Sequence, residues 1–328
     1  MPASRVPVYG AIAANLAIAV TKYIAASLSG SSAMLAEAIH STIDTGNGFL
    51  MLVGMRRSER KPDSEHPFGY GKALYFWSLV VAMVIFGVGG VVSIVEGALH
   101  LMHPHRLASV GWSYAVLAFA AVFEGASFAI ALRQFLKQKG ERPFWQALRR
   151  SKDPSTYTVV AEDGAALAGV AIAAIGLSLA TLLDEPAYDA AASIMVGVLL
   201  CAVAVLLIRE AGGLLIGEGM SAESVQAIRR IVAQDPRVHL VGQPATMYLS
   251  PEEILLALDV EFDRDVAAAD IAAAVERIER DIRVRYPNIK RIYIESRAIS
   301  APARAAATAS LPDERKIRNA TAESPGRV

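Results

Sequence analysis

Apolar positions along this chain come in long runs, without the short alternations of a soluble core. Six such runs are legible, covering about residues 8–29, 32–55, 74–101, 112–136, 155–182 and 187–208. Each is close to or above the ~20 residues a helix needs to cross a ~30 Å hydrocarbon layer. Turn-forming residues punctuate the gaps: Ser29-Gly30-Ser31, His103-Pro104 and Asp184-Glu185-Pro186, while Pro154 suits the first turn of a fifth helix. From about Ser221 the rhythm changes. Ser221 to Gln234 reads as an amphipathic helix with Ser221 as its cap and Glu223 in its first turn. Val238–Leu249 and Ile254–Phe262 read as strands, Ala267–Tyr286 as a second helix and Ile289–Ile294 as a third strand. After about residue 299 no apolar period remains, which predicts disorder.

The chain is therefore expected to be an α-helical membrane protein with six transmembrane helices and a small α+β (αββαβ, ferredoxin-like) domain. The expected boundaries are 1–209 for the helical domain, 210–298 for the sheet domain and 299–328 for the tail. Composition agrees: 54% of the 328 residues are hydrophobic and 20% charged. The formal net charge is zero, so nothing implies bulk attraction to nucleic acid. One cysteine, Cys201, excludes a disulfide framework within the chain and reads as a small buried hydrophobe. The first run is too long for a secretory signal and is expected to be a retained span. Orientation follows from Lys and Arg. Five fall between Arg56 and Lys72 and seven between Arg133 and Lys152, whereas the alternate connections carry almost none apart from Arg106. The positive-inside rule then places both basic loops, both termini and the sheet domain in the cytoplasm of a plasma or bacterial inner membrane.

Polar residues inside the second run change the picture. AEAIHSTIDTGN carries Glu37, His40, Asp44 and Asn47. At 100° per residue these four form one stripe, and His40 and Asp44, four apart, can grip one ion. In the fifth run Glu162 and Asp163 interrupt YTVVAEDGAALAG, with Asp163 on a face with Val159, Ala166 and Val170. Ionisable groups at that depth are costly and usually mark a substrate or proton path. If the two helices pack, with Gly164 and Ala166 allowing close approach, His40, Asp44 and Asp163 supply one nitrogen and two carboxylates. That set suits four-coordinate Zn2+ with a last place open to Glu162, Asn47 or water. Mn2+, Co2+ and Fe2+ fit the same donors, whereas imidazole argues against Mg2+ and Ca2+. The plainer reading, a helix-packing histidine, is outweighed by acids on two separate spans. Glu124, in the fourth run, is open between a structural part and a proton relay, Lys22 is expected to snorkel to an interface, and Glu96 and Glu210 lie near span ends.

At these residues the sequence resembles the cation diffusion facilitator family of divalent metal/proton antiporters. The resemblance runs from about 7 to 297 and rests on the HxxxD pair His40/Asp44, on Asp163, on PDSEHPFGYGK (62–72) and on the αββαβ tail. EAIHSTIDTGN, PFGYGK and AEDGAAL look most like the branch that holds the mitochondrial-type zinc transporter and its bacterial relatives. The resemblance implies a homodimer that exports Zn2+ from the cytoplasm in exchange for protons, with no organic cofactor. It also implies two ligands on the fifth span, the first at the position of Val159, for which Glu162 is the natural substitute. A loop metal site is implied at Asp63 and His66, with Tyr70 in place of a third ligand. Tail-domain ligand positions fall on Leu258, Glu295 and Arg297, with His239 as a remnant, so metal is not expected there.

Function follows as divalent cation/proton antiport by alternating access, with His40 as the proton-sensitive ligand. The alternative is a metal-gated channel or a membrane-bound sensor. No HExxH, GxSxG or GxxxxGK[ST] occurs, so neither an intramembrane hydrolase nor an ATP-driven pump is expected, and the chain is not read as an enzyme.

Overall fold

The computed structural model describes residues 6–104, 107, 110–139, 154–263 and 266–296. The expected disordered tail from 299 onward lies outside the described residues. The chain divides into two compact units, one of Met1–Glu218 with Tyr248–Glu252, the other of Gly219–Met247 with the chain from Glu253.

The first unit is helical: α1 (Val6–Ser29), α2 (Ser32–Ser58), α3 (Ala73–Met102), α4 (Val110–Lys139), α5 (Pro154–Leu183) and α6 (Ala187–Ile216). Four of them, α3 to α6, are long and apolar enough to cross a membrane. The other two, α1 and α2, have 24 and 27 residues, and the polar stripe and terminal arginines of α2 lower its apolar content. Helices outlast the apolar runs that announce them. Thus α6 passes through Arg209 and Glu210 to Ile216, because backbone hydrogen bonding continues where lipid contact stops.

Gly30, at φ +69°, makes the tight turn between α1 and α2, a conformation that costs glycine little. The start of α2 is capped twice. Ser31 Oγ accepts from Met34 N–H at 3.1 Å, and the buried Asp189 carboxylate of α6 accepts from Ser31 Oγ (2.6 Å), Ser32 N–H (2.7 Å) and Ser32 Oγ (3.1 Å). A carboxylate at a helix N-terminus satisfies orphan amides and opposes the positive end of the helix dipole. Midway along α3 a π-helical stretch, Ile85–Val91, meets α6. There Gly90 and Gly197 bring two backbones so close that a methyl group on Gly197 would stand 2.7 Å from the Gly90 carbonyl oxygen. Two apolar clusters fill the unit. One joins Ile43 of α2 to Val160 and Ala165 of α5 and Leu200 of α6; the other joins Ile18 of α1, Met34 of α2 and Leu177 of α5.

The second unit contains α7 (Ala222–Ala233), α8 (Ala268–Arg285), β1 (Val238–Val241), the first three residues of β2 (Ala245–Ser250), β3 (Glu253–Phe262) and β4 (Ile289–Ser296), the four strands belonging to one sheet. Ser221 caps α7 by accepting from Ser224 N–H at 3.3 Å. The strand β3 runs antiparallel to β1 and parallel to β4, and buries every second residue from Ile254 to Phe262. Val225, Ile228 and Val232 of α7 and Ala274, Ile278 and Ile282 of α8 are buried. The expected single strand Val238–Leu249 is in fact two. Gly242 still donates its N–H to Asp259 O at 2.8 Å, but Pro244 has no N–H to continue the ladder, and the chain breaks there.

Candidate metal centre

The stripe on α2 is built as its spacing predicts, with Glu37, His40 and Asn47 buried and the Asp44 side chain 17% exposed. His40 Nε2 lies 3.4 Å from Asp44 Oδ2, a pair one helical turn apart. Across from it, Asn47 Nδ2 donates to Glu162 Oε1 at 2.9 Å, which ties α2 directly to α5. Asp163 Oδ2 accepts from Ser127 Oγ of α4 at 2.8 Å. His40 Nε2, Asp44 Oδ1 and Asn47 Oδ1 are all buried without a hydrogen-bond partner. Buried polar atoms are nearly always satisfied. The three atoms stand in one row, and all have lone-pair chemistry suited to a cation.

The structure pairs two sets of expected residues, His40 with Asp44 and Asn47 with Glu162, and sets Asp163 against Ser127, which the sequence did not single out. Among the described residues no three of His, Cys, Asp or Glu already form a metal cage. Val159 is 41% exposed and lies outside these pairings.

The other end of the stripe is different. Lys22 does not snorkel to an interface; its side chain is fully buried. Nζ donates to Glu37 Oε2 (2.9 Å), Ser41 Oγ (2.9 Å) and Glu124 Oε1 (2.8 Å), so three acceptors supply what interfacial water would. The missed signal was the α1–α2 hairpin itself. Lys22 lies eight residues before Gly30 and Glu37 seven after it, which places them at one depth on neighbouring helices. Gly169 of α5 abuts Glu37 Oε1. Ser41 and Ser127 carried no signal in the sequence beyond their types.

Comparison with known proteins settles the class. The profile of the cation efflux transmembrane domain matches residues 8–216. The chain belongs to the cation efflux family. Proteins named proton-coupled zinc antiporter SLC30A9, mitochondrial, are 30% identical over 313 residues in Xenopus laevis and over 314 in Homo sapiens, in each case 84% of this chain. Those alignments cover 56% and 55% of the relatives. Metal tolerance protein C4 of Arabidopsis thaliana is 32% identical over 239 residues, 72% of this chain and 52% of that protein. The chain thus spans about half the length of these curated relatives. The family is one of membrane transporters, not enzymes, and this chain has apolar helices and a C-terminal sheet.

In its loop between α2 and α3, Asp63 accepts from the N–H groups of Glu65 (3.1 Å) and His66 (2.7 Å) and from the Tyr70 hydroxyl (2.7 Å). The His66 and Tyr70 rings stack at 4.1 Å, and His66 Nδ1 stands 3.5 Å from Asp63 Oδ1. The Tyr70 hydroxyl, with the His66 amide behind it, holds the Asp63 carboxyl below the usual range, and the same bond raises Tyr70. Both Asp63 oxygens are thus already committed to a turn. In the tail sheet Leu258 belongs to the core, and His239 Nδ1 lies 3.6 Å from Asp263 Oδ1 on an exposed edge. Arg297 lies outside the described residues.

Proposed function

We propose that this protein is a divalent cation/proton antiporter that exports Zn2+ from the cytoplasm by alternating access. The observation that carries the reading is the row of orphaned buried atoms on α2, His40 Nε2, Asp44 Oδ1 and Asn47 Oδ1, tied across to α5 by Asn47–Glu162. His40, Asp44 and Asp163 are the proposed ligands, with Glu162 filling the fourth place or Asn47 substituting for it. In this state Asp163 is engaged with Ser127. Metal capture requires it to leave that hydroxyl and turn to His40 and Asp44, a small side-chain exchange of the kind that can couple occupancy to helix movement. A relative's name, proton-coupled zinc antiporter, supports both the cargo and the exchange. Mn2+, Co2+ and Fe2+ suit the same donors.

Proton coupling follows from competition. Metal needs neutral imidazole and ionised carboxylates, so protons arriving from the far side displace it. Six spans, cytoplasmic termini, a ferredoxin-like cytoplasmic domain and a homodimer in a proton-energised plasma or inner membrane complete the proposal. The deciding experiment is Zn2+ flux into proteoliposomes under a pH gradient, with Asp44→Ala and Asp163→Ala beside wild type. Saturable, gradient-driven flux that both variants abolish is expected; undiminished flux in both overturns the site. Binding with no flux at all points to a sensor, and flux indifferent to the gradient to a channel.

A further inference from the structure

The buried Lys22 cluster is a complete cation site. Its three oxygens come from two helices besides that of Lys22, and they saturate the three donors of one ammonium at 2.8–2.9 Å. An ordinary ion pair needs one carboxylate. Here there are two, and their second oxygens, Glu37 Oε1 and Glu124 Oε2, are buried with no hydrogen-bond partner. Two carboxylates and a hydroxyl are the donor set of a hard cation. The wall on the α5 side is closed by the Gly169 backbone against Glu37. The pocket sets two carboxyl groups against one ammonium.

We propose that Lys22, Glu37, Ser41 and Glu124 form a second cation pocket in the membrane domain, occupied by the protein's own ammonium, which keeps divalent metal out of that end of the polar stripe. Glu37 and Asp44 are seven residues apart on α2, about 10 Å along its axis. One ion cannot bridge both, so a stripe without Lys22 offers divalent ions two separate places. Lys22 leaves only the place at His40 and Asp44 open to metal. The tether matters chemically, since a covalently held cation cannot be carried across and cannot be displaced by raising the metal concentration alone.

The test uses the full-length protein in detergent, with Mn2+ alone and with Zn2+ alone as probes. Equilibrium dialysis should show K22M binding one divalent ion per chain more than wild type, while K22R matches wild type. The surplus should vanish in the triple variant K22M/E37Q/E124Q. Equal counts for folded K22M and wild type overturn the proposal. The proposal shares with the transport assignment only the background count. A wild type that binds no ion would therefore fail His40 and Asp44, while the difference between K22M and wild type still reports on this pocket. A second measurement removes dependence on how well K22M folds. Thermal unfolding of K22A, in which the ammonium leaves a gap, is compared in ammonium chloride and in tetramethylammonium chloride. Ammonium at roughly tenfold its dissociation constant should raise the K22A midpoint by about 3 °C and leave wild type unmoved. No ammonium-specific gain, including in a K22A that never reaches the folded state, overturns it.

Discussion

The two ends of the α2 stripe carry the same kind of side chain and do opposite things with it. At one end Glu37 shares a buried ammonium with Glu124 and Ser41, and charge is met by charge. At the other, His40, Asp44 and Asn47 keep buried atoms without partners. Acids within a bilayer are therefore not one signal. An acid with a built-in counter-ion holds helices together; a row of donors with no protein partner is where we propose that a cation comes and goes. The comparison is sharpest because both ends lie on one helix and share its backbone.

The largest effect should follow from removing a donor at the His40 end. His40→Ala or Asp44→Ala should lower Zn2+ flux and affinity by at least about 100-fold, more than loss of an outer partner of a ligand would cost. Helix content should not change, because neither residue forms a bond that anchors α2 to another helix. Flux within a few-fold of wild type in both would erase the distinction between the ends. The converse holds at the filled end. In metal-free buffer Lys22→Met should destabilise the membrane unit by about 3–5 kcal/mol, since it strands two buried carboxylates. Denaturant or thermal unfolding in detergent reads this directly, and a loss under about 1 kcal/mol would mean that the pair is solvated after all.

A finer cut asks which oxygen on α5 belongs to the cation. Glu162→Gln keeps an oxygen for Asn47 Nδ2 to donate to, so the α2–α5 tie should survive and stability should hold. If Glu162 completes the metal shell, Zn2+ affinity should fall by roughly 10-fold while the midpoint of unfolding stays put. If both stay put, the fourth place falls to Asn47 or water.

Much of this layout could be read from residue order because membrane helices leave little choice. Runs of about 20 apolar residues can only be helical, and a polar stripe at seven-residue spacing can only face inward or be ruinously costly. That is why α3 to α6 and the burial of Glu37, His40 and Asn47 followed from the sequence. What it did not show is pairing between helices. Lys22 looked like an interfacial anchor because its three acceptors sit on two other helices, and only Glu37 is near enough in the hairpin to have been inferred. Asp163 reads as a ligand from its neighbours, yet in this state it is held by Ser127, a contact 36 residues away with no periodicity to announce it. In the sheet unit the break at Pro244 was present in the sequence but masked by apolar residues on either side, Leu240 and Val241 before it and Met247 to Leu249 after it.

The smallest effect belongs to the exposed loop, where Asp63, an expected ligand, is built into a turn. Its oxygens already accept two backbone N–H groups and the Tyr70 hydroxyl. Because the Tyr70 hydrogen bond and then the His66 amide depress the Asp63 carboxyl, the turn gains stability above the ordinary carboxylate value near 3.9. That gain persists at neutral pH and is lost as pH falls through the lowered value, so the Glu65 and His66 amides should exchange faster only below about pH 4. Tyr70, raised by the same bond, contributes below its ordinary value near 10 and loses that contribution only as pH rises through the raised one. Asp63→Asn keeps an oxygen for the amides but removes the charge that Tyr70 bonds, and should abolish the acid step while leaving the turn in place at pH 7. Zn2+ titration should leave the His66 ring resonances unshifted in wild type, since a metal there must first displace hydrogen bonds that the loop is built on. A zinc-dependent shift that Asp63→Asn removes would make this loop a third cation position.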